Sequence, residues 1–487
     1  MRECIMKKKS VAANALLNMF KQVSNVFFPL ITYPYISRTL GASNLGIYSF
    51  TDSIVSMVLI FACLGIQTYA VREGARIRND RDKMIKFSTE LFSINFICMV
   101  ISLITMLICI VLIPRLQRNA VIICCLSINV IANILGRDWL NSVYEDFEYI
   151  TLRYIFFQVI ATILMFILVR SEDDFYKYIM IMIFGNSGGY ILNVWYTQRY
   201  VPLKITNQLN LKHHIKPMLY LFGVSLAIKI YIQSDIMILG FFKTDSEVGI
   251  YTIASKVYTI VKSVLNAIIM VAIPRLSLII GKDTNEYTKY LKKIKQILYT
   301  IVFPCVVGLF MESDNILYLI GGEQFLNGSI SLKILCLALI FAVFSCYYAN
   351  TILVINREDK IFFEATVISA IVNIILNIVL IPFWGIEGAA LTTVISEMIV
   401  MLKCRPKSYS FQDKELTLDL KKSTVGSIAI VCCCSFCSSF QWGYMIELII
   451  SLIMSIFVYG VIEIILKNSI IVESIQILFW KNKKSNK

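Results

Sequence analysis

The sequence is poor in charged residues and contains no long polar block. Asp, Glu, Lys and Arg make up 16% of the 487 residues, whereas about 25% is usual in a soluble domain. Hydrophobic residues make up 57%, and the mean hydropathy is +0.72. This composition leaves no room for a separate soluble domain. Apolar stretches of about 20 residues, the length that crosses a bilayer, recur along the whole chain.

Patterns typical of enzymes and metal sites are also missing. The two histidines, His213 and His214, are adjacent in a predicted cytoplasmic connection, where solvated interfacial side chains are expected. No Gly-rich phosphate loop followed by Lys and Ser or Thr is found, which argues against an intrinsic ATPase. The CxxC of Cys434 and Cys437 lies in an apolar run without His or acidic partners, so helix packing is favoured over a zinc or redox site. We therefore expect no enzyme, no metal and no organic cofactor.

Fourteen apolar segments are candidate membrane-spanning helices. They cover residues 12–36, 45–67, 88–113, 119–136, 154–170, 176–196, 217–240, 249–273, 297–312, 330–354, 361–381, 386–402, 423–440 and 445–466. With the N-terminus placed inside, most of the 46 Lys and Arg residues fall in alternate connections. Because basic residues accumulate on the cytoplasmic side, both termini are predicted to be cytoplasmic. The net charge of +14 then reflects topology and anionic lipid, and nucleic acid is not expected as a partner.

A short motif occurs twice, about two hundred residues apart. The first copy runs from Leu40-Gly41 to Gly46-Ile47-Tyr48, and the second from Leu239-Gly240 to Gly249-Ile250-Tyr251. Each copy joins two apolar segments on the predicted outer side. Two copies on the same side predict parallel lobes related by a pseudo-twofold axis along the membrane normal.

The repeat and the charge pattern together predict an all-α polytopic membrane protein in seven parts. These are a cytoplasmic N-terminus at 1–11, a six-helix lobe at 12–196, a cytoplasmic linker at 197–216, a second six-helix lobe at 217–402, another linker at 403–422, two further helices within 423–466, and a basic cytoplasmic tail at 467–487.

Ionisable side chains inside the predicted spans are the candidate functional residues, because a charge within a bilayer is costly. Lysines lie within the first, seventh and eighth spans, and polar side chains accompany each of them at helical spacing. Three cations facing one water-filled space favour an anionic substrate, and lysine suits phosphate. The alternative is a set of internal salt bridges or lysines that extend to the interface. The candidate substrate-binding residues are Lys21, Lys229, Lys262, Asn18, Asn25, Thr259 and Asn266.

Two further groups of residues complete the candidate site. Asp235, Glu364 and Glu397 are candidate charge partners of the lysines or ligands of a coupling ion. Pro34, Gly41 and Gly240 lie at the ends of spans next to the repeated motif, where bending would alternate access.

Several segments resemble Wzx-type oligosaccharide flippases, the polysaccharide transporters of the MOP superfamily. The similarity fades after about residue 403. The segments that carry it are Tyr33 to Gly41, Gly46 to Phe50, Leu64-Gly65-Ile66, Val71-Arg72-Glu73, Asp235 to Gly240, Val248 to Tyr251, Asn373 with Asn377, Ile381-Pro382 and Gly385 to Ala390.

The resemblance implies a MATE-like, V-shaped fold of two six-helix bundles around a cationic cavity, with two additional helices. It also implies a function: alternating access that flips undecaprenyl-diphosphate-linked oligosaccharide from the inner to the outer leaflet of the bacterial plasma membrane. The product would serve capsule, O-antigen or a related surface polymer, with H⁺ or Na⁺ as coupling ion and with polysaccharide polymerase and chain-length proteins as partners. The alternatives are a lipid II flippase, a cation-coupled exporter of the same superfamily, and a membrane polysaccharide polymerase, which the short outer connections disfavour.

Overall fold

The computed structural model describes residues 11–405, 414–440 and 442–473, and its regular elements are helices throughout this part of the chain. Contacts divide the chain into two compact units, Met1–Gly249 and Ile250–Lys487. The first unit contains α1 Val11–Cys63, α2 Ile66–Ile77, α3 Arg81–Leu112, α4 Pro114–Arg118, α5 Ala120–Leu126, α6 Ile128–Gly136, α7 Asp138–Val143, α8 Phe147–Leu168, α9 Phe175–Tyr196 and α10 Leu211–Phe242.

Helix α11, Asp245–Ile279, begins in the first unit and continues into the second. The second unit contains α12 Thr284–Met311, α13 Ser313–Gly321, α14 Ser329–Tyr348, α15 Asp359–Cys404, α16 Lys414–Ser438 and α17 Tyr444–Ile465. Short 3₁₀ turns lie at Glu172–Asp174, Thr197–Arg199 and Glu323–Gly328, and one π-helical turn lies at Ala349–Leu353.

All fourteen predicted spans are found as helices in the described residues. Within the part of the chain that the structure describes, ten helices are long and apolar enough to cross a membrane. Two of these, α1 and α15, each cover two predicted spans, because a glycine with non-helical dihedral angles breaks them internally. The fourth and sixth spans correspond to the apolar segment Ala120–Gly136 and to α9. The chain is therefore a multi-pass membrane protein with the predicted helical architecture.

The break in α1 lies at a predicted hinge. Gly41 has φ 74° and ψ 174°, a conformation that a side chain at Cβ disfavours. Gly385 breaks α15 in the same manner, with φ 56° and ψ −130°. Pro34, the other hinge candidate in α1, lies within uninterrupted helix. The structure thus provides a bend at Gly41, whereas a role in alternating access for any of these residues stays a prediction.

The helices extend beyond the predicted spans at two of the predicted cytoplasmic connections. The predicted spans leave residues 68–87 and 274–296 as connections, whereas α3 begins at Arg81 and only residues 280–283 separate α11 from α12. The basic and polar residues that end the apolar runs continue the helices, because helix formation does not require apolar side chains. The ninth span accordingly begins at Thr284 and ends at Met311, and a separate helix, α13, follows it.

The two copies of the repeated motif contact each other within the first unit. A Cβ atom added to Gly46 would lie 1.7 Å from the Asp245 carbonyl oxygen, and one added to Gly249 would lie 1.9 Å from the Ala42 carbonyl oxygen. These four residues occupy equivalent positions in the two copies, so the contact is reciprocal. Small residues permit such close approach of two helix backbones. The motif is therefore a backbone-to-backbone helix crossing.

Gly240, the third hinge candidate, has a packing role in the same region. A Cβ atom at this position would lie 2.0 Å from Cδ2 of Phe50. Arg115 donates from Nε to the Gly240 carbonyl oxygen at 2.7 Å, pairs with Asp245 at 2.6 Å and lies over the Phe50 ring. The end of α10 is thus held by an aromatic ring and an arginine, and its role in a gate stays a prediction.

The unit boundary differs from the predicted lobe boundary. Helix α10 was assigned to the second lobe, beginning at 217, but it packs against α1 and α2 and belongs to the first unit. The predicted lobes are defined by a repeated sequence motif, whereas the compact units are defined by contacts between residues. The two divisions therefore need not coincide. The predicted lobes at 12–196 and 217–402 therefore stay a prediction. The N-terminus before residue 11, residues 406–413 of the second linker and the tail from 474 lie outside the described residues.

The last two helices pack against α12 through a buried polar contact. Gln296 donates to Asp419 at 2.7 Å, and the Tyr459 hydroxyl donates to the Thr300 carbonyl oxygen at 2.7 Å. Asn468, just after α17, donates to the Thr300 hydroxyl at 3.2 Å. Cys434 and Cys437 are buried beside α17, where they contact Ser455 and Met454.

Candidate functional site

A polar cavity of about 350 Å³ lies inside the first unit. It is enclosed by α1, α6, α8, α9 and α10, with one residue from α7. Charged, amide and hydroxyl groups supply much of its lining. The polar side chains are Lys21, Asp52, Ser56, Asn129, Asn133, Asp138, Arg153, Tyr154, Asn186, Tyr190, Lys229 and Gln233.

Two of the three predicted lysines lie in this cavity. Lys21 comes from α1 and Lys229 from α10, and the Lys21 Nζ atom is 5.7 Å from the centre of the Tyr154 ring. Both ammonium groups are half-buried. Gln233, one helical turn after Lys229, lines the same space. The structure thus brings together residues that lie about two hundred positions apart in the sequence.

Arg153 and Asp138 form an ion pair in the cavity wall that the sequence reasoning missed. Arg153 Nη2 lies 2.5 Å from Asp138 Oδ1, and Asn193 donates to the same oxygen at 2.9 Å. The Arg153 guanidinium also faces the rings of Tyr149 and Tyr190. The predicted spans leave residues 137–153 as a cytoplasmic connection, in which a basic residue such as Arg153 indicates only topology. The sequence does contain a signal for this ion pair, because the opposite charges of Asp138 and Arg153 lie near the two ends of one short connection.

Asp52 is the other missed residue of the lining. It lies in the second predicted span, where the rule that intramembrane charges are functional candidates applies to acids as well as to lysines. With Asp52 included, the cavity has three basic side chains, Lys21, Arg153 and Lys229, and two acidic ones, Asp52 and Asp138. One net positive charge remains in a space of low dielectric constant. The cavity is therefore suited to hold an anion.

Lys262 lies in the second unit and has a carboxylate partner. It forms an ion pair with Glu397, whose Oε1 also accepts a 2.8 Å hydrogen bond from Tyr258. The Lys262 side chain is 25% exposed and that of Glu397 is 4% exposed. Glu397 was a predicted charge partner, and the structure gives it that position. For Lys262 the geometry matches the salt-bridge alternative.

Three of the remaining polar candidates have described side chains, and none of these three lines the cavity. Asn25 is exposed on the first unit, where it donates to Gln22 at 3.5 Å, and Thr259 is exposed on the second, where it donates to the Ser255 carbonyl oxygen at 2.7 Å. The side-chain oxygen of Asn266 is buried and has no hydrogen-bond partner among the described residues. The side chain of Asn18 lies outside the described part of the structure. Substrate contact by these four residues stays a prediction.

The two other acidic candidates differ in burial. Glu364 is exposed near the start of α15 and pairs with Lys360 at 3.8 Å, so it is not a partner of the mid-membrane lysines. It lies one turn from the helix end, where water solvates both charges. Asp235 is buried in α10 and is 8% exposed. It remains a candidate for binding a coupling ion.

The Lys262–Glu397 pair allows a stability prediction. K262M leaves a buried carboxylate without its cation, a change that costs about 3–5 kcal/mol in a fully buried pair and less here because Lys262 is partly exposed. We expect K262M to lower the melting temperature of the detergent-solubilised protein by several degrees. The double variant K262M/E397L should recover most of that loss, because no buried charge remains. A double variant as unstable as the sum of the single variants would contradict the pairing.

Two family models match the chain. The model described as polysaccharide biosynthesis protein matches residues 11–280. The model described as lipid II flippase MurJ matches residues 192–453. Each match spans more than half of the chain.

Similar proteins include several described as transporters or flippases. A candidate O-antigen transporter of Escherichia coli is 24% identical over 396 residues, which cover 81% of this chain and 95% of that protein. A candidate O-antigen transporter of Shigella dysenteriae is 22% identical over 80% of this chain and 98% of its own length. A candidate flippase of low-salt glycan biosynthesis from Haloferax volcanii is 31% identical over 34% of this chain and 35% of its own length.

Two solved structures share the fold. The inward closed conformation of the lipid II flippase MurJ has a TM-score of 0.74 and 17% identity, covering 94% of this chain and all of that one. The inward-facing conformation of a multidrug resistance MATE family transporter of the MOP superfamily has a TM-score of 0.53 and 12% identity, covering 87% and 96%. These likenesses confirm the predicted polytopic helical fold of MOP type.

Proposed function

Because the chain belongs to the polysaccharide biosynthesis protein family, we propose that it is a flippase for an undecaprenyl-diphosphate-linked oligosaccharide. It moves the oligosaccharide from the inner to the outer leaflet of the bacterial plasma membrane by alternating access, for assembly of a capsule or O-antigen-like polymer. The observation that carries the proposal is the similarity to candidate O-antigen transporters over 81% and 80% of the chain. Relatives described as transporters and flippases support transport over catalysis.

The cavity of the first unit has the chemistry that this substrate requires. A diphosphate is an anion, and Lys21, Arg153 and Lys229 supply positive charge. Amide and hydroxyl groups, such as those of Asn133 and Tyr154, can hydrogen-bond sugar hydroxyls. Its volume of about 350 Å³ lies at the lower end of the range for ligand pockets, roughly 300–1,000 Å³. The cavity would hold the diphosphate and the nearest sugar, with the lipid tail remaining in the bilayer.

A lipid II flippase is the second candidate function. It is supported by the MurJ family model over residues 192–453 and by the TM-score of 0.74 to a MurJ structure. Its substrate carries a diphosphate as well, so the charge of the cavity does not separate the two candidates. We rank the lipid II flippase second because the chain is similar along most of its length to candidate O-antigen transporters.

A reconstituted transport assay tests the proposal. Proteoliposomes would contain the purified protein and either a fluorescent undecaprenyl-diphosphate-linked oligosaccharide or fluorescent lipid II, and a membrane-impermeant reductant would quench the exposed leaflet. We expect the protein to raise the quenchable fraction of the oligosaccharide lipid above one half, and to leave that of lipid II at the value of protein-free vesicles. Flipping of lipid II alone would establish the second candidate, and flipping of neither would refute both.

We further propose that both termini are cytoplasmic, that H⁺ or Na⁺ is the coupling ion, and that polysaccharide polymerase and chain-length proteins act beside the flippase. The excess of Lys and Arg in alternate connections supports the orientation. The buried Asp235 supports a cation as the coupling partner.

The orientation predicts which exposed positions can be labelled from outside the cell. Glu323 and Lys282 are both exposed in the second unit, Glu323 on a predicted outer connection and Lys282 on a predicted cytoplasmic one. We expect a membrane-impermeant maleimide to label E323C in intact spheroplasts, and K282C only after lysis. The unsubstituted protein measures labelling of the native cysteines. The reverse pattern would refute the orientation.

A further inference from the structure

Tyr69, Glu90 and His214 form a buried polar contact, here called the histidine cluster, that the transport cavity does not include. Glu90 Oε2 lies 3.0 Å from His214 Nε2, and the Tyr69 hydroxyl lies 2.9 Å from His214 Nδ1. The three residues are 2%, 6% and 4% exposed, respectively. They come from α2, α3 and α10. The expectation that His214 is a solvated interfacial residue is therefore wrong, because α10 begins before it at Leu211 and packs its ring inward.

The geometry of the histidine cluster accommodates either protonation state of the imidazole. In the neutral ring, Nε2–H donates to Glu90 and Nδ1 accepts from the Tyr69 hydroxyl. In the imidazolium, Nδ1–H donates to the Tyr69 oxygen instead, since a hydroxyl both donates and accepts. No heavy atom has to move between the two states. Histidine is also the side chain whose charge ordinarily changes between pH 5 and 8.

The charges within the histidine cluster differ between the two protonation states of the ring. With a neutral ring, Glu90 is a buried carboxylate without a cation, which is costly, whereas the imidazolium makes a hydrogen-bonded ion pair. From α2, Arg72 lies over the Tyr69 ring and Glu73 is 3.0 Å from Arg72. Glu73 also pairs with Arg76 at 3.0 Å, and both arginine side chains are more than half exposed to solvent. From α3, the apolar ring of Phe87 packs edge-on against the imidazole, with the ring centres 5.9 Å apart.

The histidine cluster lies where α10 is attached to the rest of the first unit. Met218, one turn after His214, is fully buried in a core with Tyr69 and Trp139. A Cβ atom on Gly65, which has φ of +70°, would lie 2.7 Å from the Met218 carbonyl oxygen, so the backbones are in close contact. Lys229 of the cavity lies on the same helix, fifteen residues or about 22 Å further along.

We propose that the histidine cluster is a proton-binding site that controls the attachment of α10 to α2 and α3, and thereby the position of Lys229 in the cavity. The protonated cluster holds the N-terminal part of α10 in place. Loss of the proton leaves the Glu90 charge uncompensated and weakens that attachment. Because the attached state holds one more proton, attachment is favoured by falling pH, by up to about tenfold per pH unit in the range where the cluster titrates. Only the consequence for transport rests on the proposed function.

Hydrogen exchange measured by mass spectrometry tests this proposal on the full-length protein without any substrate. The quantity is the protection factor of residues 211–225, corrected for the intrinsic exchange rate at each pH between 5.5 and 8.5. In the unsubstituted protein, we expect the protection factor to fall by up to tenfold for each unit by which the pH rises. In H214Q and E90Q it should be independent of pH, and H213Q, which replaces the other histidine of the chain, should keep the profile of the unsubstituted protein.

The outcomes are separable from those of the flipping assay. If H214Q keeps the pH dependence, or if H213Q removes it, the assignment is overturned. A profile without pH dependence in the unsubstituted protein overturns it as well. If the single variants do not fold, H214F/E90L removes both polar partners and should show protection independent of pH. A pH-dependent profile confined to intact His214 and Glu90 supports the proton site even if no lipid is flipped, in which case the proposed function alone fails.

Discussion

We expect the variant K21A/K229A to export no surface polysaccharide, although it reaches the membrane in normal amount. Both ammonium groups line the cavity of the first unit. Removing them changes the lining from three basic and two acidic side chains to one basic and two acidic ones. The interaction of a diphosphate with the site thereby becomes repulsive. A charge pair 4 Å apart at an effective dielectric constant of about 20 contributes about 4 kcal/mol, so loss of two cations should weaken binding by more than about a hundredfold.

Export is measured as surface polysaccharide in a strain that lacks the chromosomal copy, together with the amount of protein in the membrane. K216A is the matched control, because Lys216 is exposed on the same helix as Lys229 and lies outside the cavity. K21R/K229R preserves both charges and should retain part of the export. Normal export by K21A/K229A would rule out the cavity as the site of the diphosphate.

G46A and G249A should each prevent normal assembly of the first unit. In both cases the added methyl group would overlap a carbonyl oxygen of the facing helix, at 1.7 Å and 1.9 Å respectively. The neighbouring atoms are backbone, so no change of side-chain rotamer can relieve the overlap and the helices must separate. Overpacking usually costs about 1–3 kcal/mol, and a fixed backbone favours the upper end of that range or beyond.

The measurement is the melting temperature and the monodisperse fraction of the detergent-extracted protein. G223A is the matched control in α10, where an added Cβ atom meets nothing within 4 Å. It should be neutral or slightly stabilising, since alanine favours helix over glycine by up to about 1 kcal/mol. The double variant G46A/G249A should lose less than the sum of the two single losses, because one separation of the helices accommodates both methyl groups. Normal melting of the single variants would refute the crossing.

Hydropathy and charge were sufficient to predict the fold because each membrane-spanning helix must by itself be apolar enough to lie in the bilayer. A helix such as α8 is identified by its own apolar residues, and a break such as that at Gly41 by a single glycine. Helix ends were less predictable. Once an apolar run has left the hydrocarbon layer, residues such as those around Arg81 can continue the helix or end it, and hydropathy no longer decides between the two.

The site was predicted only in part because its contacts are long-range. Lys21 and Lys229 were found singly, since each is a charge inside an apolar run. The partners could not be assigned, because pairing depends on packing between helices that lie far apart in the sequence. His214 shows the limit most clearly: its contacts with Tyr69 and Glu90 span 145 and 124 residues, and its local sequence resembles an exposed connection.

The packing of α16 and α17 against α12 has a consequence for biosynthesis. Gln296 and Thr300 enter the membrane on α12, but their partners Asp419, Tyr459 and Asn468 are synthesised more than 120 residues later. A ribosome adds about 5–20 residues per second, so the interval lasts several seconds or longer. During this time Gln296 and Thr300 lack their partners on the last two helices. The second unit is therefore completed from its C-terminal end, and a ribosome that stalls before residue 468 would leave it unfinished in the membrane.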